Sequence, residues 1–321
     1  MKDLEELGKI IESEIEDLTY PASPESLYDP IRYIMGLNGK RIRPLLVLMG
    51  YQLFDDKVKK ALSSAIAIEV FHNFTLLHDD IMDNAPLRRG SLTVHEKWNN
   101  NVAILSGDVM MIQAYQLLKR GNSNRVQEVL DVFSKTAIKV CEGQQWDMDF
   151  ETQKKVDLVE YMKMIKHKTA VLLAASLQIG AIIAGAGKED QDHLYNFGVN
   201  IGLAFQLKDD LLDVFGCSED FGKKLGGDIL ANKKTFLYLK AVQLADISTK
   251  TMLEDYYKTN DNPELKVKEV TEIFRGLNIQ KHTIEMMKAY YSKAMKHLDA
   301  VYSDNKEPLI LFSEKLMERI S

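Results

Sequence analysis

The chain has 321 residues, of which 45% are hydrophobic and 27% charged, with a formal net charge of −6. This suits a globular protein with a large core and gives no electrostatic reason to bind nucleic acid, so any anion site must be built from local basic clusters. Two cysteines, Cys141 and Cys217, make neither a disulfide framework nor a metal spacing and fit a reducing compartment.

The N-terminus, MKDLEELGKIIESEIEDL, is acidic and amphipathic and is not a signal peptide. No apolar stretch of 18 or more residues is read in the sequence, so a cytoplasmic protein without membrane insertion is expected. Residues 2–18 have helical period. Ser23-Pro24-Glu25 predicts an N-cap followed by Pro at the first helical position. That helix runs to about Leu37, and Asn38-Gly39 closes it. Pro44 opens a helix through about Phe54. Further helices are predicted at 59–84, 102–120, 125–149, 157–185, 190–215, 229–246, 248–257, 263–275 and 280–303, with a short one at 307–319. Alternating strand patterns are scarce, there is no βαβ order, and no Pro/Gly/Ser-rich linker divides the chain. The expected architecture is all-α, a single domain over 1–321 forming one large helical bundle around a central cavity.

Two segments of this chain share the form DDxxD. They are Asp79-Asp80-Ile81-Met82-Asp83 and Asp209-Asp210-Leu211-Leu212-Asp213, each ending a long apolar helical run. On a helix Asp79 shares a face with Asp83, and Asp209 with Asp213. Three carboxylates within one turn repel, so a cation must offset them. Magnesium takes hard oxygen ligands and bridges one or two carboxylates to substrate phosphates. The expectation is a diphosphate held through magnesium between two aspartate-bearing helices.

The neighbours of the first cluster extend this reading. His72 lies near the Asp79/Asp83 face, while Ala67, Phe71, Phe74 and Thr75 fill an adjacent sector running down from it. A metal-binding top over an apolar wall suits an amphiphile with a diphosphate head and a hydrocarbon tail. Ordinary core packing accounts for the Phe rings equally well. Pro86 is read as the helix stop, so Arg88 and Arg89 leave on a loop beside the carboxylates. Pairing with surface acids is the usual fate of loop arginines, but guanidinium forks also match phosphate oxygens. A second basic cluster, Lys40-Arg41-Ile42-Arg43, opens a helix, where it opposes the dipole unless an anion is present.

In the second aspartate helix Gln206, Asp210 and Asp213 share a face. Gly198 and Gly202 lie below Asp209 and are kept for close packing or for ligand room. Lys168-Thr169 interrupts an apolar helix, so the lysine either snorkels or faces a polar cavity. Lys224, Lys233 and Lys234 follow in GKKLGGDILANKK. Its glycine spacing is not that of a P-loop. No Ser/His/Asp order, HExxH or dinucleotide fingerprint is present.

The ordered set GKRIRP (39–44), FHNFTLLHDDIMD (71–83), RRG (88–90), GQ (143–144), KT (168–169), FQLKDDLLD (205–213) and GKKLGGDILANKK (222–234) resembles the trans-isoprenyl diphosphate (polyprenyl) synthases, from about residue 25 to about residue 300. The resemblance implies an all-helical homodimer of the isoprenoid synthase type with a deep apolar tunnel below the metals. It implies that Asp79, Asp80, Asp83, Asp209 and Asp213 bind magnesium, or manganese in its place, at about three ions per site, and that Asp210 supports them. Arg88, Lys168, Lys224 and Lys233 would hold an allylic diphosphate. Lys40, Arg43, His72 and Arg89 would hold the diphosphate of isopentenyl diphosphate. Thr169 and Gln206 would face the developing cation.

The implied reaction is head-to-tail (1'-4) condensation to an all-trans prenyl diphosphate. Phe74, with small Thr75 beside it and Phe71 one turn below, is expected to set chain length, favouring geranylgeranyl over farnesyl diphosphate. A terpene cyclase would replace the second DDxxD and lack GKRIRP. An HD-type phosphohydrolase would need further histidine ligands beyond His78-Asp79, and a non-catalytic subunit would lose aspartates. Some family members close the site with a basic tail, whereas FSEKLMERIS carries only Lys315 and Arg319 as basic groups.

Overall fold

The structure, a computed structural model, describes residues 2–121, 124–216, 225–258 and 261–317. Along these residues the chain is almost wholly helical. The elements are α1 (Leu4–Glu16), α2 (Glu25–Gly36), α3 (Ile42–Gln52), α4 (Lys59–Met82), the strands β1 (Leu87–Arg88) and β2 (Ser91–Leu92), α5 (Val94–Lys97), α6 (Asn100–Gly121), α7 (Val126–Thr152) and α8 (Leu158–Ile165). A π-helical turn (Lys166–Ala170) follows, then α9 (Val171–Ala184), α10 (Lys188–Phe215), α11 (Gly227–Leu230), α12 (Phe236–Leu244), α13 (Ile247–Tyr256), α14 (Pro263–Gly276), α15 (Ile279–Ala300) and α16 (Glu307–Met317). The helical period is strong enough to set most of these elements. Local chemistry sets the ends. Asp3 and Glu6 form a capping box on α1, and Asp157 and Glu160 form one on α8.

The residues group into two compact units. One comprises Met1–Thr136, Ala175–Tyr195 and Ala300–Leu309, the other Ala137–Ala174, Asn196–Asp299 and Ile310–Ser321. Every boundary falls inside a helix (α7, α9, α10, α15 and α16), so the sequence carries no linker signal there.

In the first unit α4 is buried nearly all round, with Ala61, Ala65, Ala67, Ile68, Val70, Phe71 and Leu77 inside. It packs mainly on α3 and α6. In the same unit α3 and α9 approach backbone to backbone. A Cβ on Gly50 would stand 2.4 Å from the Leu177 carbonyl oxygen, and one on Gly180 2.1 Å from that of Val47. In the second unit Gly198 and Gly202 have the same use. Their Cβ atoms would fall 2.5 Å from Ala174 Cα and 2.6 Å from Ala170 Cα, so close packing accounts for both.

Five sequence expectations need correction. Pro24, not Ser23, is the N-cap of α2, because it precedes the first helical residue, Glu25; its ring carries no acceptor and makes no side-chain cap bond. Helix α4 ends before Pro86 comes into play. Asn84 takes a left-handed φ of 48°, Ala85 N–H bonds the Asp80 carbonyl at 2.9 Å and Asn84 N–H bonds that of Ile81 at 3.3 Å, a Schellman termination. The continuous helix expected over 157–185 is broken by the π turn at Lys166–Ala170. The helix expected over 229–246 is split, since Asn232 adopts a φ of 56° between α11 and α12. Finally, Leu158–Ala184 does contain an 18-residue window apolar enough to cross a membrane, but 72% of that window is buried in the fold.

Candidate active site

The first unit gathers one carboxylate cluster and one basic cluster at the same end of α4. Asp79, Asp80 and Asp83 close the helix, and its last turn holds no basic residue. The unpaired carbonyls of a helix C-terminus add to their negative potential. Asp83 is exposed, Asp79 half-buried and Asp80 buried. Asp80 is engaged by Arg88, whose Nε lies 2.8 Å from both carboxylate oxygens and whose Nη2 lies 2.6 Å from Oδ1. Burial raises the Asp80 pKa, with Arg88 pulling the other way. Burial also works against the Arg88 charge, but the Asp80 bonds together with the charges of Asp80, Asp79 and Asp83 offset it and raise its pKa. Arg88 is thus paired with a motif carboxylate, and Tyr33 steadies its hairpin by donating to the Leu92 carbonyl at 2.7 Å.

The three bases at the start of α3 have three fates. Lys40 is exposed. Arg41 turns inward to Glu69 at 2.7 Å. Arg43 donates to His72 Nε2 at 2.9 Å, which makes that nitrogen an acceptor and the imidazole neutral. Burial, followed by the charges of Arg43, Arg89, Arg88 and Arg41, holds the His72 pKa well below the ordinary value. Burial pulls Arg43 down to about 10, with Glu69 opposing and Arg89 adding. Arg89 joins this group from the hairpin. Its guanidinium covers Gly39, where a Cβ would meet Nη1 at 2.6 Å. Arg43 and Arg89 beside one neutral histidine make a cradle for an anion, with Arg41 and Arg88 held nearby on Glu69 and Asp80.

The second unit forms a cavity of about 210 Å³ lined by Lys168, Thr169, Gln206, Asp210, Asp228 and Lys233, among others. The π turn presents Lys168 and Thr169 to it. Lys168 Nζ bonds Asp147 at 2.5 Å. Thr169 Oγ1 donates to Gln206 Oε1 and Gln206 Nε2 to Asp210 Oδ1, both at 3.1 Å, while Tyr161 Oη donates to Asp210 Oδ2. Burial, then the Asp228 charge, raises Asp210 to about 7, against the hydrogen bonds of Tyr161 and Gln206. Asp209 and Asp213 are half-buried. Asp213 accepts the Asp228 N–H at 2.9 Å. Lys208, their basic neighbour in sequence, is buried and donates to the Leu316 carbonyl. Lys234 donates to the carbonyls of Phe150 and Gln153, so it holds the end of α7, unlike Lys233. Lys224 lies outside the described residues, as do Cys217 and Arg319.

The donor chemistry fits magnesium at both motifs: hard carboxylate oxygens at a helix end whose last turn holds no basic residue. Among the described residues no three His, Cys, Asp or Glu side chains gather around one point. A magnesium site here would be completed by substrate oxygens and water.

Sequence reasoning missed Glu69, Asp147, Tyr161 and Asp228. Asp228 stands in the quoted GGD of 226–228 and could have been found there. Tyr161 and Asp210 are 49 positions apart, and no sequence pattern joins them.

Phe71 is fully buried, and its ring lies 5.0 Å from Phe133, which in turn lies 4.9 Å from Tyr115. Phe74, half-buried, contacts Phe71 at 5.6 Å and His78 at 4.7 Å. Thr75 bonds the His72 carbonyl at 2.8 Å.

Comparison with known proteins agrees with this geometry. Residues 24–274 match the polyprenyl synthetase family. The chain is 40% identical to the geranylgeranyl diphosphate synthase of Methanosarcina mazei over 235 residues, 73% of this chain and 72% of that one. It is 38% identical to the short chain isoprenyl diphosphate synthase of Methanocaldococcus jannaschii over 258 residues, covering 80% and 79%. Its fold superposes on a crystal structure of a geranylgeranyl pyrophosphate synthase with a TM-score of 0.95 at 44% identity, each chain covered completely. With both DDxxD motifs, the GKRIRP loop and the KT turn all in place within that matched span, this chain belongs to the polyprenyl synthetase family.

Proposed function

We propose that the protein joins isopentenyl diphosphate to an allylic prenyl diphosphate, head to tail, releasing diphosphate and giving a short-chain all-trans prenyl diphosphate, geranylgeranyl diphosphate in the first instance. The observation that carries this is the pairing, at one end of α4, of a carboxylate cluster with an arginine cradle. A single-diphosphate enzyme such as a cyclase needs the first and not the second.

Asp79, Asp80, Asp83, Asp209 and Asp213 would hold magnesium or manganese, about three ions per site. Bound there, the metal neutralises the charge that develops on a leaving diphosphate. Arg88, Lys168, Lys224 and Lys233 hold the allylic diphosphate. Lys40, Arg43, His72 and Arg89 hold that of isopentenyl diphosphate. The allylic C–O bond breaks and its electron pair leaves with the diphosphate. The alkene of isopentenyl diphosphate then supplies the pair for the new 1'-4 bond. The proton lost next goes to the released diphosphate, so no protein base is required. Thr169 and Gln206, already bonded to each other and to Asp210, present fixed oxygen dipoles to the allylic cation. Asp210 positions Gln206. The apolar wall below excludes water, which would quench the cation.

One observation favours a shorter product. Phe71 and Phe74 pack together, so two rings block the wall rather than one, and farnesyl diphosphate is the second reading.

We further infer a cytoplasmic homodimer without membrane insertion. Leu105 and Ile112 of α6, seven residues apart and so on one helix face, are each 59% exposed, which fits a face covered by a second copy.

The test is to supply magnesium, isopentenyl diphosphate and dimethylallyl, geranyl or farnesyl diphosphate, then measure diphosphate release and the mass of the product. Diphosphate release without an elongated prenyl diphosphate would overturn the reading.

A further inference from the structure

Glu69 sits inside the first unit with its side chain 2% exposed, a burial that a carboxylate tolerates only when paired and hydrogen-bonded. Its Oε1 takes Arg41 Nη1 at 2.7 Å and Asn73 Nδ2 at 3.1 Å. Arg41 is 11% exposed and has a second task. Its Nη2 donates to the Met35 carbonyl at 2.8 Å and to the Leu37 carbonyl at 2.9 Å. The Leu37 carbonyl also receives Arg89 Nη1, at 3.2 Å. Arg41 further occupies the left-handed region, φ 45° and ψ 36°, immediately before α3. A non-glycine residue there is strained and persists only when its surroundings hold it. One buried carboxylate thereby ties α4, the 37–41 loop and the arginine-bearing hairpin to a common point.

We propose that Glu69 is a positioning residue for the second diphosphate: acting through Arg41, it fixes the Leu37 carbonyl and the turn into α3, and so sets where Lys40, Arg43 and Arg89 stand. This rests on the reading of Lys40, Arg43, His72 and Arg89 as the seat of isopentenyl diphosphate. Glu69 does not touch that substrate. Its negative charge alone would disfavour an anion nearby, so its benefit to binding is geometric. Its field also opposes the burial that lowers the pKa of Arg43 and Arg89.

The experiment compares Glu69→Gln, Arg41→Gln and the double variant with the wild-type protein, recording KM for each substrate, kcat and Tm. Glu69→Gln keeps the shape and removes the charge. It should raise KM for isopentenyl diphosphate about tenfold, the loss of roughly one charge-assisted hydrogen bond, while KM for the allylic substrate and kcat stay within about twofold. Arg41→Gln should give the same split. Because both act through one contact, the double variant should show about tenfold rather than the product of the two. Should Glu69→Gln fail to fold, Arg41→Lys carries the test. It keeps a cation beside Glu69 but lacks the fork that reaches two carbonyls, and it should raise the same KM. A lower Tm with both KM values unchanged, a parallel rise in both, or a multiplicative double variant would overturn the proposal. The wild-type measurement separates the two levels: a wild-type protein that makes no prenyl product refutes the underlying reading, whereas an active wild type with no KM split refutes the role of Glu69 alone.

Discussion

The backbone nitrogen of Lys168 lies 2.2 Å from where a Cβ on Gly143 would stand. Helix α7 and the π turn therefore touch through a position that admits only glycine. The π turn adds a residue to the helical ladder and widens it, which aims Lys168 and Thr169 into the cavity they share with Gln206 and Asp210.

Gly143→Ala is accordingly expected to push the π turn away from α7. The strain should cost about 1–3 kcal/mol, seen as a lower Tm. Turnover should fall further than stability explains, because Lys168 and Thr169 move together. Full activity with only a lower Tm would show that the turn tolerates the shift.

The carboxylate clusters carry the metal expectation. Asp79→Ala and Asp209→Ala should each lower kcat by at least about a hundredfold and leave the circular dichroism spectrum unchanged. Chelation of divalent metal should abolish turnover, and magnesium or manganese should restore it. Near-normal condensation by either variant would remove that motif from the site.

Both carboxylate clusters were legible because DDxxD is local: the helical period alone puts i and i+4 on one face. The basic residues were legible as a group and not one by one. At 40–43, where α3 begins, only the fold shows that Arg41 turns inward to Glu69 while Arg43 meets His72. Lys233 and Lys234 are adjacent and chemically identical and both line the cavity, yet only the fold shows that Lys234 is bonded to the carbonyls of Phe150 and Gln153 at the end of α7. The π turn was invisible because its residues, Lys-His-Lys-Thr-Ala, have ordinary helical propensity. Its packing partner, Gly143, is remote in sequence. The end of α4 was readable in principle, since Asn84 followed by Pro86 two residues on is a C-terminal signature in which the asparagine, not the proline, makes the left-handed turn.

His72 supplies a pH prediction with a definite sign. Its folded pKa is depressed by burial and by the arginines, while in the unfolded chain it titrates near about 6.5. The neutral ring therefore contributes stability that is fully present above about pH 6.5 and is lost as pH falls below it, because the unfolded state then binds more protons. Tm of the wild-type protein should drop more between about pH 7 and pH 5 than Tm of His72→Gln, which keeps an acceptor for Arg43 and cannot titrate. Parallel pH profiles would show that His72 is not held neutral.

The two diphosphate seats should separate kinetically, because Arg43 and Lys168 belong to different clusters. Arg43→Ala should raise KM for isopentenyl diphosphate by about tenfold or more, with little effect on the allylic partner. Lys168→Ala should act on the allylic KM or on kcat. It also frees Asp147 from an ion pair, so a companion Asp147→Asn variant is needed to show that the loss belongs to Lys168. Equal effects on both substrates from each substitution would count against two seats.

Chain length is the property on which relatives of this protein differ, and the aromatic wall of α4 offers a direct test. Phe74 is half-buried and meets Phe71 and His78, whereas Phe71 is fully buried and braced by Phe133 and Tyr115. The two rings are therefore unequal. Phe74 can be removed at modest cost, and its loss opens the wall by about one helical turn, ~5 Å, enough for about one isoprene unit. Phe74→Ala should lengthen the product by about that unit and no more, because Phe71 behind it cannot swing away from Phe133. Phe71→Ala should cost about 3–5 kcal/mol in stability and leave the product distribution nearly unchanged while Phe74 still blocks the path. The double variant should release a longer series. Thr75 is small and hydrogen-bonded to its own helix, so Thr75→Phe places a ring nearer the carboxylates and should shorten the product. Mass spectrometry of the prenyl products decides among these. If Phe74→Ala and Thr75→Phe both leave the distribution as it is, the floor of the tunnel is built by other residues.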